Sequence, residues 1–225
     1  MLTAYDANIA SLLVEAEIDY ILVGDSLGMV VFGFPNTRRV TMDDICRHTE
    51  AVRNGAPNSQ IISDMPINSY NNPNQAIKNA RLLLDAGADF IKLEGSLQIV
   101  KYLINNKIKV FGHLGLLPQT AQSFSKVGKN NTEAEEIFNQ AIEMDDFPVT
   151  GLVLECISDF LAKKITENIK CPTFGIGSGP HCRGEVRVIN DILGMYKNSP
   201  PFIKPKINLN KIILKSILEF KEDFS

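Results

Sequence analysis

Four short apolar runs in this chain each end on a carboxylate: Tyr20-Ile21-Leu22-Val23-Gly24-Asp25, Ile61-Ile62-Ser63-Asp64, Phe90-Ile91-Lys92-Leu93-Glu94 and Leu152-Val153-Leu154-Glu155. A core strand has no use for an acid at its end, because an ionised carboxylate out of water is costly unless a cation or several donors meet it. If the strands are parallel, all the acids gather at one end of one sheet. That edge is where α/β proteins place metals, substrates and catalytic groups. Asp25, Asp64 and Glu94 come from adjacent runs, and hard oxygen ligands with no nearby Cys or His cluster suit Mg²⁺, or Mn²⁺, better than zinc. The competing reading is that one or two of them cap the following helix or accept backbone amides.

Lys92 lies two residues before Glu94, so strand alternation turns both side chains to one face. Inside a barrel mouth it is a point charge for a substrate carboxylate or enolate. A structural ion pair with one of the acids is the other reading, and the two are compatible. Glu155, on a more distant run, is a natural general acid or base. His113, ending the run Val110-Phe111-Gly112-His113, competes for that role. His48 falls inside a helix pattern and His181 in a loop, and neither is assigned one. Gly175-Ile176-Gly177-Ser178-Gly179 follows a strand pattern where barrels bind anions through backbone amides. Tight turns use the same residues, and no dinucleotide fingerprint follows the first strand.

The elements that must position these groups alternate between strand and helix patterns. Leu2–Tyr5 reads as a short first strand, and residues 8–17 as a helix with Ile9, Leu12, Leu13 and Ala16 at helical spacing. Tyr20–Val23 is the second strand, and Thr41 caps a helix to about Arg53 that Gly55 closes. A strand to Asp64 leads to Asn72-Pro73, which opens a helix through Asp85 that Gly87 ends. Phe90–Glu94, a helix over 97–105 and Val110–His113 come next. Thr132-Glu133-Ala134-Glu135 resembles a capping box for a helix to about Met144. Leu152–Glu155, a Ser158-capped helix to about Ile169, Thr173–Ile176, an eighth strand at Val186–Asn190 and an amphipathic helix from Leu209 to Phe224 complete the chain. Strand candidates with helices between them, at a period of roughly 30 residues, favour a closed parallel (β/α)8 TIM barrel over an open doubly wound sheet.

Length and composition agree. At 225 residues and 44% hydrophobic content, the chain can bury one sizeable core, so residues 1–225 read as a single barrel domain. A net charge of −3 with scattered Lys and Arg gives no pull towards nucleic acid. Cys46, Cys156, Cys171 and Cys182 show neither C-x-x-C nor zinc spacing and read as reduced thiols. Without a basic leader or a run of roughly 18 apolar residues, the expectation is a cytoplasmic protein with no membrane partner.

Val23-Gly24-Asp25-Ser26-Leu27-Gly28-Met29, Ser63-Asp64-Met65-Pro66, Lys92-Leu93-Glu94-Gly95, Gly112-His113-Leu114-Gly115-Leu116, Leu154-Glu155-Cys156 and Gly175-Ile176-Gly177 occur in the order and spacing of ketopantoate hydroxymethyltransferase. The chain resembles that family from Thr3-Ala4-Tyr5-Asp6 to about Lys204. The resemblance implies a (β/α)8 barrel, usually a homodecamer, in pantothenate and coenzyme A biosynthesis. Such a barrel binds Mg²⁺ and transfers a hydroxymethyl group from 5,10-methylenetetrahydrofolate to 3-methyl-2-oxobutanoate. It further implies a metal site at Asp25, Asp64 and Glu94, with Asp25 and Asp64 coordinating directly. Ser26 and Lys92, beside Asp25 and Asp64, match the positions that hold the keto acid, and Glu155 matches the proton acceptor.

Some positions depart from the family pattern. Relatives carry an N-terminal helix and a fuller strand before Thr-Ala-Tyr-Asp, so the N-terminal barrel edge is expected to be truncated. Ser96 stands for a second glycine, Phe34 for a histidine, Leu117 for a threonine and Arg183 for an aspartate, all expected around the mouth. Two alternatives follow: a degenerate barrel that keeps fold and assembly without turnover, and a Mg²⁺-dependent carbon-carbon lyase or phosphomutase of the related barrel. The lyases carry a reactive cysteine before a Gly-His pair, and Phe111-Gly112-His113 has none.

Overall fold

The structure, a computed structural model, describes residues 1–123, 125–196 and 204–223. Eight parallel strands form one sheet in chain order: β1 (Leu2–Thr3), β2 (Tyr20–Val23), β3 (Gln60–Asp64), β4 (Phe90–Lys92), β5 (Val110–Gly115), β6 (Gly151–Glu155), β7 (Thr173–Ile176) and β8 (Gly184–Glu185). Helices α1 (Ala7–Glu15), α2 (Leu27–Val30), α3 (Met42–Gly55), α4 (Pro73–Asp85), α5 (Leu97–Asn105), α6 (Asn131–Asp145) and α7 (Asp159–Asn168) lie between them. Parallel strands in sequence order with helical crossovers make a curled, TIM-barrel-like α/β sheet, the expected class. Across the seam between β8 and β1, the Met1 ammonium donates to the Glu185 carbonyl at 3.1 Å. The chain divides into two compact units, Met1–Val186 and Arg187–Ser225. The second carries α8 (Ile189–Leu193) and α9 (Leu209–Glu222).

Caps fix where several helices begin, and so fix the loops at the carboxyl ends of the strands. Asp6 accepts from the Ile9 amide, Asn72 from Gln75 and Ser158 from Leu161, while Thr41 and Asp44 form a reciprocal capping box. At α6 the cap is Asn130 rather than Thr132. Its side chain takes the Glu133 amide at 2.8 Å, and the Glu133 carboxylate reaches back to the amide of Gly128 at 2.7 Å. The eighth strand is also displaced from the expected Val186–Asn190. Gly184 and Glu185 pair with Phe174 and Gly175, because only a glycine admits the Phe174 ring, 2.7 Å from where a Cβ on Gly184 would stand. Val188 instead opens α8. Helix α2 and a 3₁₀ turn at Thr37–Arg39 occupy a stretch whose sequence reads as loop. The tail helix ends at Glu222, and the expected end at Phe224 lies outside the described residues.

Strand alternation builds the interior in layers. Leu22, Ile62, Phe90, Phe111, Val153, Phe174 and Val186 form one buried cluster. The Tyr20 ring meets Phe90, Phe111 and Phe174 edge-on, with centroids 5.9, 5.5 and 5.7 Å away. Gly151 makes room for them, since a Cβ there would stand 2.6 Å from the Phe111 ring and 2.9 Å from the Phe174 ring. Two residues further along the same faces stand Gly24, Asp64, Lys92, His113, Glu155 and Ile176. The apolar layer therefore floors a charged one and keeps water from reaching it from below.

Gly151→Ala is expected to force the aromatic layer apart and to lower stability by about 1–3 kcal/mol, an overpacking cost. Equilibrium chemical denaturation checks this. A midpoint equal to that of the unsubstituted chain would contradict the packing described.

Candidate active site

The charged layer is one connected set of side chains. The register of β3 against β4 sets Asp64 opposite Lys92, and Lys92 Nζ lies 3.1 Å from Asp64 Oδ1. The same Nζ is 3.4 Å from His113 Nδ1, and His113 Nε2 is 3.3 Å from Glu155 Oε2. Glu94 falls beyond the end of β4, yet its Oε1 is 3.9 Å from His113 Nδ1, so Lys92 and Glu94 do share the inward face. Two left-handed residues, Gly95 and Ser96 with φ of 59° and 38°, then turn the chain into α5. The left-handed position at Ser96 suits glycine better than serine. Cys156, with φ 49°, makes a similar turn directly after Glu155.

Asp25 enters from the loop after β2. Its amide donates to Asp64 Oδ2 at 3.1 Å, which brings the two carboxylates together. A side chain on Gly24 would crowd Ser26 Oγ, 2.9 Å from the would-be Cβ. Ser26 begins α2 without capping it, and its hydroxyl hydrogen-bonds the Tyr5 hydroxyl at 2.8 Å.

Gln119, in the loop after β5, ties the acids together. Its Nε2 donates to Asp25 Oδ2 and to the Met65 carbonyl, each at 2.9 Å, and its backbone amide donates to Glu94 Oε2 at 3.1 Å. The Tyr70 hydroxyl donates to Gln119 Oε1 at 2.5 Å. Arg38 pins the same loop from outside, donating to the carbonyls of Gln119 at 3.2 Å and Ala121 at 2.6 Å. None of Gln119, Tyr70 and Tyr5 stands out in sequence, because a search by charge and metal-ligand type passes over neutral groups. The available signal was position: Pro118-Gln119 follows directly on an apolar strand run.

Burial sets the electrostatics. Desolvation, and then repulsion from Asp64, push the Asp25 carboxyl up to about 7, against the pull of Lys92 and Gln119. Desolvation pushes Glu94 up to about 8, with Lys92 opposing and Asp25 adding to it. Desolvation works against the charge on Lys92, but Asp64, Glu94 and Asp25 together outweigh it and hold the ammonium above its ordinary range. His113 is lowered by burial and then by Lys92, so its imidazole is neutral. An ammonium has only donors to offer, which assigns Nδ1 as acceptor from Lys92 and the proton to Nε2, on the side of Glu155.

The structure thus brings Asp25, Asp64, Lys92, Glu94, His113 and Glu155 to one mouth. It does not gather Asp25, Asp64 and Glu94 into a three-ligand cluster: among the described residues, no three His, Cys, Asp or Glu side chains could together hold a metal ion. The reason is visible in the contacts. Asp64 takes the Asp25 amide and Lys92, Asp25 Oδ2 takes Gln119 Nε2, and Glu94 Oε2 takes the Gln119 backbone amide, so each acid is held by a different donor. The glycine-rich segment after β7 is a structural turn. Ser178 Oγ donates to the Leu154 carbonyl and accepts from the Ile157 amide, and Gly179 abuts the Asp159 carboxylate. His48 bonds the Tyr5 carbonyl within the first unit. Arg183 is not at the mouth. It precedes β8 and donates to Lys170 before β7, at the opposite end of the strands.

The sequence model of the family ketopantoate hydroxymethyltransferase matches residues 1–225. A 3-methyl-2-oxobutanoate hydroxymethyltransferase of Pelagibacter ubique is 43% identical to this chain, covering 99% of it and 88% of the relative. One of Saccharolobus islandicus is 44% identical, covering 98% and 85%. Among solved structures, a 2,3-dimethylmalate lyase superposes with a TM-score of 0.61 at 17% identity, over 82% of this chain and 74% of that one. Oxaloacetate acetylhydrolase gives 0.63 at 13%, over 100% and 92%. At such identities the likeness is one of fold.

Gln119→Ala is expected to leave Asp25, Glu94, Met65 and Tyr70 without their partner and to lower stability by about 1–3 kcal/mol, the scale of buried groups left unsatisfied. Gln119→Glu, which keeps shape but adds a fifth carboxylate to the mouth, should be less stable than the unsubstituted chain. Equilibrium chemical denaturation checks both, and an unchanged midpoint in both variants would contradict the role given to this loop.

Proposed function

The chain belongs to the ketopantoate hydroxymethyltransferase family of one-carbon transferases, and from that premise we propose that it moves a hydroxymethyl group from 5,10-methylenetetrahydrofolate to 3-methyl-2-oxobutanoate. The product is 2-dehydropantoate, with one water consumed. The observation that carries this reading is the buried line Asp64, Lys92, His113, Glu155 beside Asp25, which sets a fixed cation and a carboxylate at one mouth.

Mg²⁺, or a similar divalent cation such as Mn²⁺, fits Asp25 and Asp64. Asp25 is buried beside Asp64, and desolvation first and the Asp64 charge second push its carboxyl up, a cost that a cation would relieve. Mg²⁺ is usually held by one or two protein carboxylates, with water and substrate oxygens completing its shell, so a set of two suffices and Glu94 can remain with Gln119. When bound, it supplies a Lewis acid to the keto oxygen of the substrate.

The remaining work belongs to the chain's own groups. Lys92, held cationic by the surrounding acids, and the Ser26 hydroxyl bind the keto acid, and Lys92 offsets the negative charge that grows as the C3 proton leaves. Glu155 takes that proton. His113 is ill placed to do so, because its Nδ1 lone pair is occupied by Lys92 and its Nε2 carries hydrogen on the side of Glu155. Its part is to position Glu155. Hydrolysis of both carbon-nitrogen bonds of the folate's methylene releases the one-carbon unit at the oxidation level of formaldehyde, with water supplying its oxygen and one proton to each nitrogen; the C3 carbanion adds to that carbon, and the resulting alkoxide takes back the proton held by Glu155. The folate brings the reactive carbon, and the protein brings orientation and field. Every residue invoked lies in the unit Met1–Val186. No helix among the described residues is long and apolar enough to cross a membrane. The family resemblance adds a cytoplasmic homo-oligomer to this reading, with the keto acid and folate as small-molecule partners.

Mg²⁺-dependent exchange of the C3 proton of 3-methyl-2-oxobutanoate into D₂O, followed by NMR without folate, isolates the first step. The folded chain should catalyse it, and Glu155→Gln should slow it by about 10²–10⁴-fold, the usual contribution of a general base. Exchange retained in Glu155→Gln would move the base to His113. No exchange at any Mg²⁺ concentration would sink the reading.

A further inference from the structure

A cleft of about 300 Å³ opens beside the acid cluster and is not used by the chemistry above. It shares its walls with the site. Pro66 follows Met65, whose carbonyl is held by Gln119, and Arg38 grips the Gln119 loop. One side is apolar, with Val40, Met42, Pro66 and Ile67, and its lining includes Arg38 and Arg39 but no acid.

The two arginines are differently committed. Arg38 spends its guanidinium on loop carbonyls. Arg39 stacks over the Phe34 ring at 4.3 Å and is exposed, and among the described residues no carboxylate pairs with it. Stacking fixes the plane of a guanidinium while leaving its N–H edge free for a bidentate carboxylate. Asp44, the acid at the start of α3, is turned away onto the amide and hydroxyl of Thr41. Ser69, whose hydroxyl is buried with no hydrogen-bond partner, lines the same cleft. A mixed wall ending in an unpaired arginine suits a flat aryl group joined through an amide to a carboxylate.

We propose that this cleft binds the p-aminobenzoyl-glutamate arm of the folate co-substrate, with Arg39 pairing its carboxylates while the one-carbon end reaches the mouth. The proposal rests on the folate reading above. It gives Phe34 the task of presenting Arg39.

The test compares steady-state KM values for 5,10-methylenetetrahydrofolate and for 5,10-methylenetetrahydropteroamide, in which a neutral amide replaces the glutamate, in the unsubstituted chain, Arg39→Ala and Arg39→Lys. Arg39→Ala should raise KM for the glutamate-bearing form by about tenfold, the scale of a lost charge-assisted pair, and leave KM for the neutral form unchanged. Arg39→Lys, which keeps charge but not the fork, should fall between. An equal rise for both co-substrates, or no rise for either, would overturn the placement. Turnover with neither co-substrate in the unsubstituted chain would overturn the folate reading and this proposal with it, and proton exchange in the same preparation would show that the keto-acid half still stands.

Discussion

Lys92 is a fully buried cation with Asp64, Glu94 and Asp25 around it, and the rest of the site follows from the cost of keeping that group of charges out of water. One ammonium cannot satisfy every acid. Asp64 takes the closest contact, and the remainder is shared among neutral donors: the Asp25 amide and Gln119 through two different nitrogens. A buried charge group balanced in this way leaves Asp25 and Glu94 raised, by desolvation first and by neighbouring carboxylates second, to about 7 and about 8. Carboxyls perturbed in this way are a common mark of a functional site.

The layer beneath makes the imbalance possible. Tyr20, Phe90, Phe111 and Phe174 close the interior below the charges, and glycines at 151 and 184 give those rings their space. Above, the loop after β5 closes the group from the other side, with Gln119 inside it and Arg38 across its back. The strands and the residues just past their ends supply the charges, while the loop supplies the neutral donors that hold Asp25 and Glu94.

Alternation along the strands made much of this readable beforehand. Acids ending apolar runs announce a parallel sheet with a charged mouth, and Lys92 two residues before Glu94 must share its face. Capping residues placed α3, α4 and α7 closely, because a side-chain cap is a local bond between neighbours in sequence, while apolar spacing alone placed α1. The eighth strand was not readable in this way. Its place depends on the Phe174 ring filling the space beside Gly184, a contact made by the partner strand, and the apolar Val186 and Val188 pointed to the wrong segment. Gln119 and Tyr70 were hidden for a similar reason: each acts through a tertiary contact spanning 49 residues or more. The separate donors that Asp25 and Glu94 find on Gln119 follow from those unseen contacts.

The central proposal is that a divalent cation relieves the cost of burying the Asp25 carboxylate beside Asp64. A carboxyl whose pKa rises on folding costs stability above its unfolded pKa, and the full cost is felt above its folded pKa. Thermal unfolding of the unsubstituted chain and of Asp25→Asn at pH 8.5, each with and without Mg²⁺, tests this most directly. Without metal, Asp25→Asn should melt higher than the unsubstituted chain, and Mg²⁺ should raise the melting temperature of the unsubstituted chain far more than that of the variant. A variant that melts lower without metal, or an equal Mg²⁺ response in both proteins, would contradict the account.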